Sequence, residues 1–160
     1  MSEFSHSKPK KYWAFISYSH KDNKWANWLI RRLESYPIPK EFQGIKFSDG
    51  GVLGKHLRPV FRDRDELPSG AELGPAIEGV LQDSRYLIVL CSQNAAQSQW
   101  VNKEIEFYRA TGRAKFILTL ILDGTPNATS SPQFADTEEC FPCHPSSLWP
   151  TQSERIDVSG

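Results

Sequence analysis

The sequence is short of several features that assign chains to functional classes. No apolar run approaches the roughly 20 residues of a membrane-spanning helix. The first residues contain no apolar core of the kind that a secretory signal requires, so we expect a cytoplasmic protein with no membrane partner. Lys and Arg number 19 and Asp and Glu also number 19. Because no overall charge attracts polyanions, directly bound nucleic acid is not expected.

Cysteine is scarce, and an odd count of 3 disfavours a disulfide framework. The segment Cys140-Phe-Pro-Cys143-His144 matches the C-x-x-C-H pattern of covalent haem attachment. That chemistry belongs to exported chains, and no second axial ligand is evident. The other histidines lie far upstream, so a zinc site would lack its remaining ligands. We therefore predict reduced thiols in a C-terminal loop, with no metal and no resident cofactor.

Hydrophobic patterning predicts strands that alternate with helices. Four strands are placed at 12–18, 57–62, 86–91 and 115–122, and three helices lie between them. This order predicts a doubly wound parallel α/β sheet of the flavodoxin-like kind, with about five strands and helices on both faces. Residues beyond 124 are rich in Pro, Ser and Thr and show no convincing fifth strand.

Local signals set expectations for individual elements. Asp22 or Asn23 is expected to cap the first helix, and Ser98 the third. Pro59 predicts that the second strand begins there or lies at an edge, and Pro75 is expected in the first turn of the second helix. Residues 40–56 contain several glycines and little periodicity, so a long loop is expected. The apolar stripe of the first helix is predicted from Trp25, Trp28, Leu29 and Leu33.

Two residues of the third helix form a candidate binding pair. Trp100 and Glu104 are four residues apart and share one helix face. A flat aromatic ring beside a carboxylate suits a planar, cationic group such as nicotinamide attached to ribose. Taken alone, the pair has a simpler interpretation, in which Glu104 is a solvated helix residue and Trp100 belongs to the core.

The predicted topology brings other residues toward this pair. Ligands of open parallel sheets lie beyond the carboxyl ends of the strands. Residues 17–19 lie at the carboxyl end of the first strand, residues 61–63 at that of the second, and residues 92–100 at that of the third. No glycine-rich loop follows the first strand, which disfavours a Rossmann dehydrogenase or a P-loop nucleotidase.

Three motifs follow one another along the chain: Phe15-Ile-Ser-Tyr18, then Arg62-Asp63 with Leu67-Pro-Ser-Gly70, and then Ser98-x-Trp100-x-x-x-Glu104. In this order they resemble the motifs of Toll/interleukin-1 receptor (TIR) domains, in particular bacterial ones. The resemblance covers about residues 12 to 122. It implies a TIR domain over 12–150, a disordered segment over 1–11, and a tail or linker over 151–160.

The resemblance also implies roles for residues. Glu104 matches the catalytic glutamate of TIR domains that consume NAD+, and Trp100 matches the aromatic residue that flanks nicotinamide. The loops after the first two strands shape the site in the family, and a neighbouring subunit completes it. There are simpler interpretations as well: Tyr18 and Phe61 can be structural residues at strand ends, and the charged residues after Phe61 can form a solvated loop. The residues that the resemblance assigns to substrate binding in these loops are Tyr18, Ser19, Phe61, Arg62 and Asp63.

The implied function is an NAD+ glycohydrolase or cyclase that yields nicotinamide and either ADP-ribose or a cyclic isomer. Self-association and a fused or separate sensor domain would control it, in antiphage defence or as a virulence effector. One alternative is a non-catalytic TIR module that scaffolds signalling or mimics host adaptors. Another alternative is an enzyme that resembles a nucleoside deoxyribosyltransferase. That enzyme would need a nucleophilic carboxylate in a different motif, and we find no convincing one.

Overall fold

Parallel strands form the centre of the protein. The computed structural model describes residues 8–62, 74–128, 133 and 138–142. Within them, four strands form one sheet in the order β2-β1-β3-β4, and each neighbouring pair is parallel. The predicted doubly wound sheet is confirmed. Its strands are β1 (Tyr12–Ser17), β2 (Val60–Arg62), β3 (Ser84–Cys91) and β4 (Ile117–Ile121).

Helices cover both faces of this sheet. The helices are α1 (Asn23–Ser35), α2 (Pro75–Asp83), α3 (Gln93–Ala96) and α4 (Gln99–Ala110). On one face, Ala26 of α1 packs on Ala14, Ile16 and Leu90. On the other face, residues of α2 and α4 enclose Phe15, Leu87 and Val89. Because β1 and β3 are covered on both sides, their sequences lack an alternation of polar and apolar residues.

The exposed face of α1 differs from the prediction. Trp25 and Trp28 are 49% and 48% exposed, so the expectation that they belong to the inward stripe is wrong. The helix instead buries Ala26 and packs Leu29, Ile30 and Leu33 against the sheet. These four residues follow the spacing of one helix face, and Ala26 allows close contact with the strands. Leu29 and Leu33 were predicted correctly.

Residues 40–56 are more ordered than the predicted loop. A 3-10 turn at Lys40–Phe42 leads into a hairpin with an antiparallel bridge between Lys46 and Val52. The Gly44 N–H donates to the carbonyl of Leu53 at 2.7 Å. Gly44 and Gly50 have φ of 86° and 81°, which residues with side chains seldom adopt. The glycines that suggested a loop therefore serve tight turns.

Other local predictions agree with the structure. Strand β2 begins one residue after Pro59 and lies at the sheet edge. Pro75 occupies the first turn of α2, where its missing N–H leaves no partner unsatisfied. The Ser98 hydroxyl accepts a hydrogen bond from the Val101 N–H at 3.4 Å and so caps α4.

The two ends of the chain are described only in part. Residues 1–7 and 143–160 lie outside the described residues. Lys10, which falls in the segment predicted as disordered, donates through Nζ to the carbonyl of Gln82 at 2.7 Å. Near the other end, Thr125 and Glu139 form an isolated parallel bridge, and the described part of the chain contains no fifth strand. No helix in the described ranges is both long and apolar enough to cross a membrane.

Candidate functional site

Glu104 lies at the centre of the candidate site. It occupies the second turn of α4 and is completely buried. Its Oε2 accepts a hydrogen bond from the hydroxyl of Ser17, the last residue of β1, which is also completely buried. The two residues are 87 positions apart in the chain. The alternative interpretation of Glu104 as a solvated helix residue is therefore wrong.

Trp100 lies one helical turn before Glu104 and is partly exposed, so it is not a buried core residue. The ammonium group of Lys103 lies 5.5 Å from the centre of its ring. A cation near an indole face is attracted by the electron density of the ring. The Trp100 ring is therefore a surface on which a cationic group can rest, on the helix that also carries Glu104.

The predicted residues after β1 are buried. Tyr18 is 2% exposed and packs with α1, on the sheet face opposite Phe15, and its hydroxyl donates to Asn23 Oδ1 at 3.3 Å. The carbonyl of Ser19 accepts a hydrogen bond from the Asp22 N–H at 2.7 Å. Side chains alternate across a strand, so Ser17 faces the α4 side while Tyr18 faces the α1 side. The structure brings Ser17 to Glu104 and places Tyr18 in the core beneath α1.

The predicted residues around the end of β2 have separate environments. Phe61 stacks on Phe15 with ring centres 5.4 Å apart and an interplanar angle of 27°, as part of the core below α2 and α4. Arg62 donates through Nη1 to Asn27 Oδ1 on α1. Asp63 lies outside the described residues. The described contacts of Phe61 and Arg62 support structural roles for these two side chains.

A second buried pair of hydroxyl and carboxylate was not predicted. The Ser92 hydroxyl donates to Asp22 Oδ2 at 2.6 Å and accepts from the Ala95 N–H at 3.0 Å. Both side chains are buried, and they join the segment after β1 to the segment after β3. Asp22 occupies the N-cap position of α1, as predicted, but its side chain makes no capping bond with that helix. Its long-range partner leaves no local signal in the sequence.

Sequence reasoning also missed the role of Ser17. The residue lies in the motif Phe15-Ile-Ser-Tyr18 and at a strand end, and both features were visible. It shares the sheet face of Phe15, two residues earlier, which packs against the α4 side. The alternation of side chains along β1 could therefore have predicted that Ser17, rather than Tyr18, faces Glu104.

The remaining chemistry of this region is limited by burial. Burial raises the pKa of the Cys91 thiol at the end of β3, and the neighbouring Cys140 and Glu139 raise it further. A protonated thiol is a poor nucleophile.

Among the described residues, no group of three His, Cys, Asp or Glu side chains is arranged to hold a metal ion. The site thus offers a carboxylate oriented by a hydroxyl, on the same helix as a partly exposed indole ring. A carboxylate away from water stabilises a nearby positive charge strongly.

Comparisons with known proteins agree on one family. The TIR domain family matches residues 14–145. The chain is 30% identical over 114 residues to the NAD(+) hydrolase ApTIR of Actinoplanes sp., and 31% identical over 122 residues to Protein toll of Drosophila melanogaster. These matches cover 71% and 72% of the chain but only 14% and 9% of the two relatives.

Solved structures were compared as well. The TIR domains of the activated Roq1 resistosome, which directly recognises the pathogen effector XopQ, match with 18% identity and a TM-score of 0.43. The match covers 69% of this chain and 56% of the other.

Proposed function

The chain belongs to the TIR domain family, and from this premise we propose that it cleaves the nicotinamide–ribose bond of NAD+. The observation that carries the proposal is the buried Glu104 carboxylate, held by Ser17 at the carboxyl edge of the sheet. Trp100 on the same helix supplies a partly exposed indole surface one turn away. The similarity to a protein named as an NAD(+) hydrolase supports the same chemistry.

The charge of NAD+ explains why one carboxylate suffices. The nicotinamide nitrogen is cationic, and it leaves as a neutral ring when the C–N bond breaks and its electron pair moves to nitrogen. No acid has to protonate the leaving group. The sugar carbon develops oxocarbenium character, as in glycoside hydrolysis. Glu104 would stabilise that positive charge more strongly in the transition state than in the ground state.

Two products are compatible with this step. If the oxygen of water bonds to the sugar carbon and loses its proton, the products are nicotinamide and ADP-ribose. If a hydroxyl or adenine nitrogen of the same molecule attacks instead, a cyclic isomer forms. In both reactions Trp100 would support the planar nicotinamide ring while the bond breaks. NAD+ is therefore a substrate in this proposal and not a resident cofactor.

The burial of Glu104 connects activity to assembly. A completely buried carboxylate contacts a ribose only after the groups that cover it have moved. We infer that homotypic association drives this change and completes the site with the loop after β2 of a neighbour. Turnover per subunit should then rise with protein concentration. A fused or separate sensor domain would control assembly in the cytoplasm, in bacterial antiphage defence or in a virulence effector.

The proposal is tested by a chromatographic time course of NAD+ at high protein concentration with a crowding agent. Wild-type protein should release nicotinamide, and Glu104→Gln should release it about 100- to 1000-fold more slowly. Glu106→Gln, a change at an exposed glutamate of the same helix, is the matched control and should retain turnover. The second product separates hydrolysis from cyclisation. Absence of nicotinamide release by wild-type protein, even when it is forced to oligomerise, would reject the proposal.

One observation favours a second candidate function, a non-catalytic interaction module. Trp25 and Trp28 on α1 are half-exposed and contact each other edge to face, with ring centres 6.2 Å apart. Exposed tryptophans are common centres of protein–protein interfaces. In this role the chain would scaffold signalling without consuming NAD+. Loss of partner binding in Trp28→Ala, together with absence of turnover in the oligomerised wild-type protein, would select this function.

A further inference from the structure

Ser17 holds the candidate catalytic carboxylate from a rigid part of the fold. On the basis of the proposed NAD+ cleavage, we propose that Ser17 is a positioning residue, which orients Glu104 for the reaction without contacting the substrate. Its hydroxyl donates to Glu104 Oε2, and both side chains are completely buried. Nothing in the TIR motif pattern of the sequence assigned this role to Ser17.

The strand that carries Ser17 cannot easily shift. Strand β1 is interior to the sheet and pairs with β2 on one side and β3 on the other. Ser17 is in register with Val89 of β3, and the preceding Ile16 pairs with both Arg62 and Ile88. Ladder hydrogen bonds on both sides fix the backbone, so the Ser17 hydroxyl is presented from a nearly constant position.

The helix that carries Glu104 is also fixed. Val101, Ile105 and Tyr108 of α4 are all buried in the core below the sheet. Glutamate has three side-chain torsions, so fixed backbones alone do not set the direction of its carboxylate. A hydrogen bond from a fixed donor removes that remaining freedom. Catalytic groups need this support because small displacements from the productive geometry reduce rates strongly.

The buried pair Asp22–Ser92 provides a contrast. Its two members lie in the segments after β1 and β3, and Ser92 also accepts a hydrogen bond from the Ala95 N–H. This pair joins two loops and caps α3, which is an architectural role. The Ser17–Glu104 pair instead joins the last residue of a central strand to the interior of α4. We therefore assign the orientation of a catalytic carboxylate to the Ser17–Glu104 pair and not to the Asp22–Ser92 pair.

The kinetic test compares Ser17→Ala with Ser84→Ala, in full-length protein under the assembling conditions described above. Ser84 is an equally buried strand serine, but it lies at the amino end of β3 and donates to the carbonyl of Val80 at 2.7 Å. Ser17→Ala should lower kcat by about 10- to 100-fold, the range for a misplaced catalytic group, with KM nearly unchanged. Ser84→Ala should leave both constants unchanged. Ser17→Thr, which keeps the hydroxyl, should recover most of kcat.

A stability measurement tests the pair without NAD+. Ser17→Ala should lower the stability of the protein, because it removes a hydrogen bond to a buried carboxylate. In a Glu104→Leu background the same change should stabilise, because the Ser17 hydroxyl has then lost its acceptor. A Ser17→Ala effect of the same size and sign in both backgrounds would overturn the pairing, whether or not any variant is active.

The two proposals fail in different ways. If wild-type protein releases no nicotinamide, the proposed function fails, and the catalytic part of this inference fails with it. If wild-type protein is active and Ser17→Ala keeps its full kcat while folded, only the positioning role of Ser17 is overturned. A fall in kcat that Ser84→Ala reproduces would also overturn it, because the effect would then follow general loss of stability.

Discussion

Two buried carboxylates, Asp49 and Glu104, lie at opposite ends of the parallel sheet and have different partners. At the amino end, Asp49 of the 40–56 hairpin forms an ion pair with Arg85 of β3, with Nη2 2.8 Å from Oδ2. The Asp49 carboxylate also accepts from the Gly51 N–H at 3.0 Å. The Arg85 guanidinium lies 3.9 Å from the centre of the Phe47 ring and 5.2 Å from that of Trp13. The charges neutralise each other, and aromatic rings cover them.

At the carboxyl end, Glu104 accepts its hydrogen bond from the neutral hydroxyl of Ser17. A hydroxyl that donates to a carboxylate orients it. The two carboxylates therefore have different roles at the two ends of the strands. The amino end uses a carboxylate to attach an inserted hairpin to the sheet, whereas the Glu104 carboxylate joins α4 to the last residue of a central strand. Parallel α/β proteins place their ligand sites at this second end.

The largest expected effect separates the two carboxylates by activity. Glu104→Gln should reduce NAD+ turnover by about 100- to 1000-fold, the range for loss of one group that stabilises transition-state charge. Asp49→Asn should leave turnover per folded molecule unchanged. Gln is preferred to Ala because Glu104 is completely buried, so alanine would also leave a cavity and an unsatisfied Ser17 hydroxyl. Comparable activity losses in both variants would remove the distinction between the two ends.

The second-largest expected effect is a loss of stability when the ion pair at the amino end of the sheet is broken. Arg85→Ala should lower the free energy of unfolding by about 3 kcal/mol, because it leaves the buried Asp49 charge without its partner. Arg31→Ala, at an exposed arginine of α1, is the matched control and should cost little. Urea denaturation followed by circular dichroism measures both. If Arg85→Ala has wild-type stability but no turnover, the amino end has a functional role that we do not assign to it.

A smaller effect concerns pH. Burial acts to raise the pKa of Asp49, but hydrogen bonds from the Gly51 N–H and Arg85 outweigh it and leave the pKa below the ordinary value of 3.8. A carboxyl group with a lower pKa in the folded state contributes stability above its unfolded pKa. That contribution is lost as the pH falls through the folded pKa. The difference in the free energy of unfolding between wild type and Asp49→Asn should therefore have its full size above about pH 5. It should disappear as the pH falls below 3.8.

The test is a series of urea denaturations between neutral pH and the acid limit of the native state. The difference between wild type and Asp49→Asn should shrink only in the most acidic samples. A difference that already disappears near neutral pH would show that Asp49 is not held as an ionised carboxylate by Arg85.

The smallest effect concerns accessibility at the carboxyl end. Because burial raises the pKa of the Cys91 thiol, Cys91 should react with a thiol reagent at pH 8 only as fast as the protein opens. A Cys143→Ser variant removes the cysteine that lies outside the described residues. Prompt reaction of the folded variant would indicate that this end of the core is open to solvent, and would weaken the case for a carboxylate held away from water.

Several features were predictable from the sequence because they depend on neighbours in the chain. Helical periodicity places Trp100 and Glu104 on one helix, the Ser98 hydroxyl caps it, and Pro75 fits the first turn of α2. The alternation of strands and helices also predicted the parallel sheet. Each prediction rests on backbone geometry that repeats over a few residues, so no knowledge of distant contacts was needed.

What tertiary structure alone decided is which of these residues meet. Ser17 and Glu104 are 87 positions apart, and Asp22 and Ser92 are 70 apart. Packing also turned Ala26, rather than Trp25 or Trp28, toward the sheet. The sequence by itself determined the elements, their order and the presence of a carboxylate near an aromatic ring. The burial of that carboxylate and the hydroxyl that orients it depend on the sheet order and on the face of each strand that a helix covers. Both are properties of long-range packing.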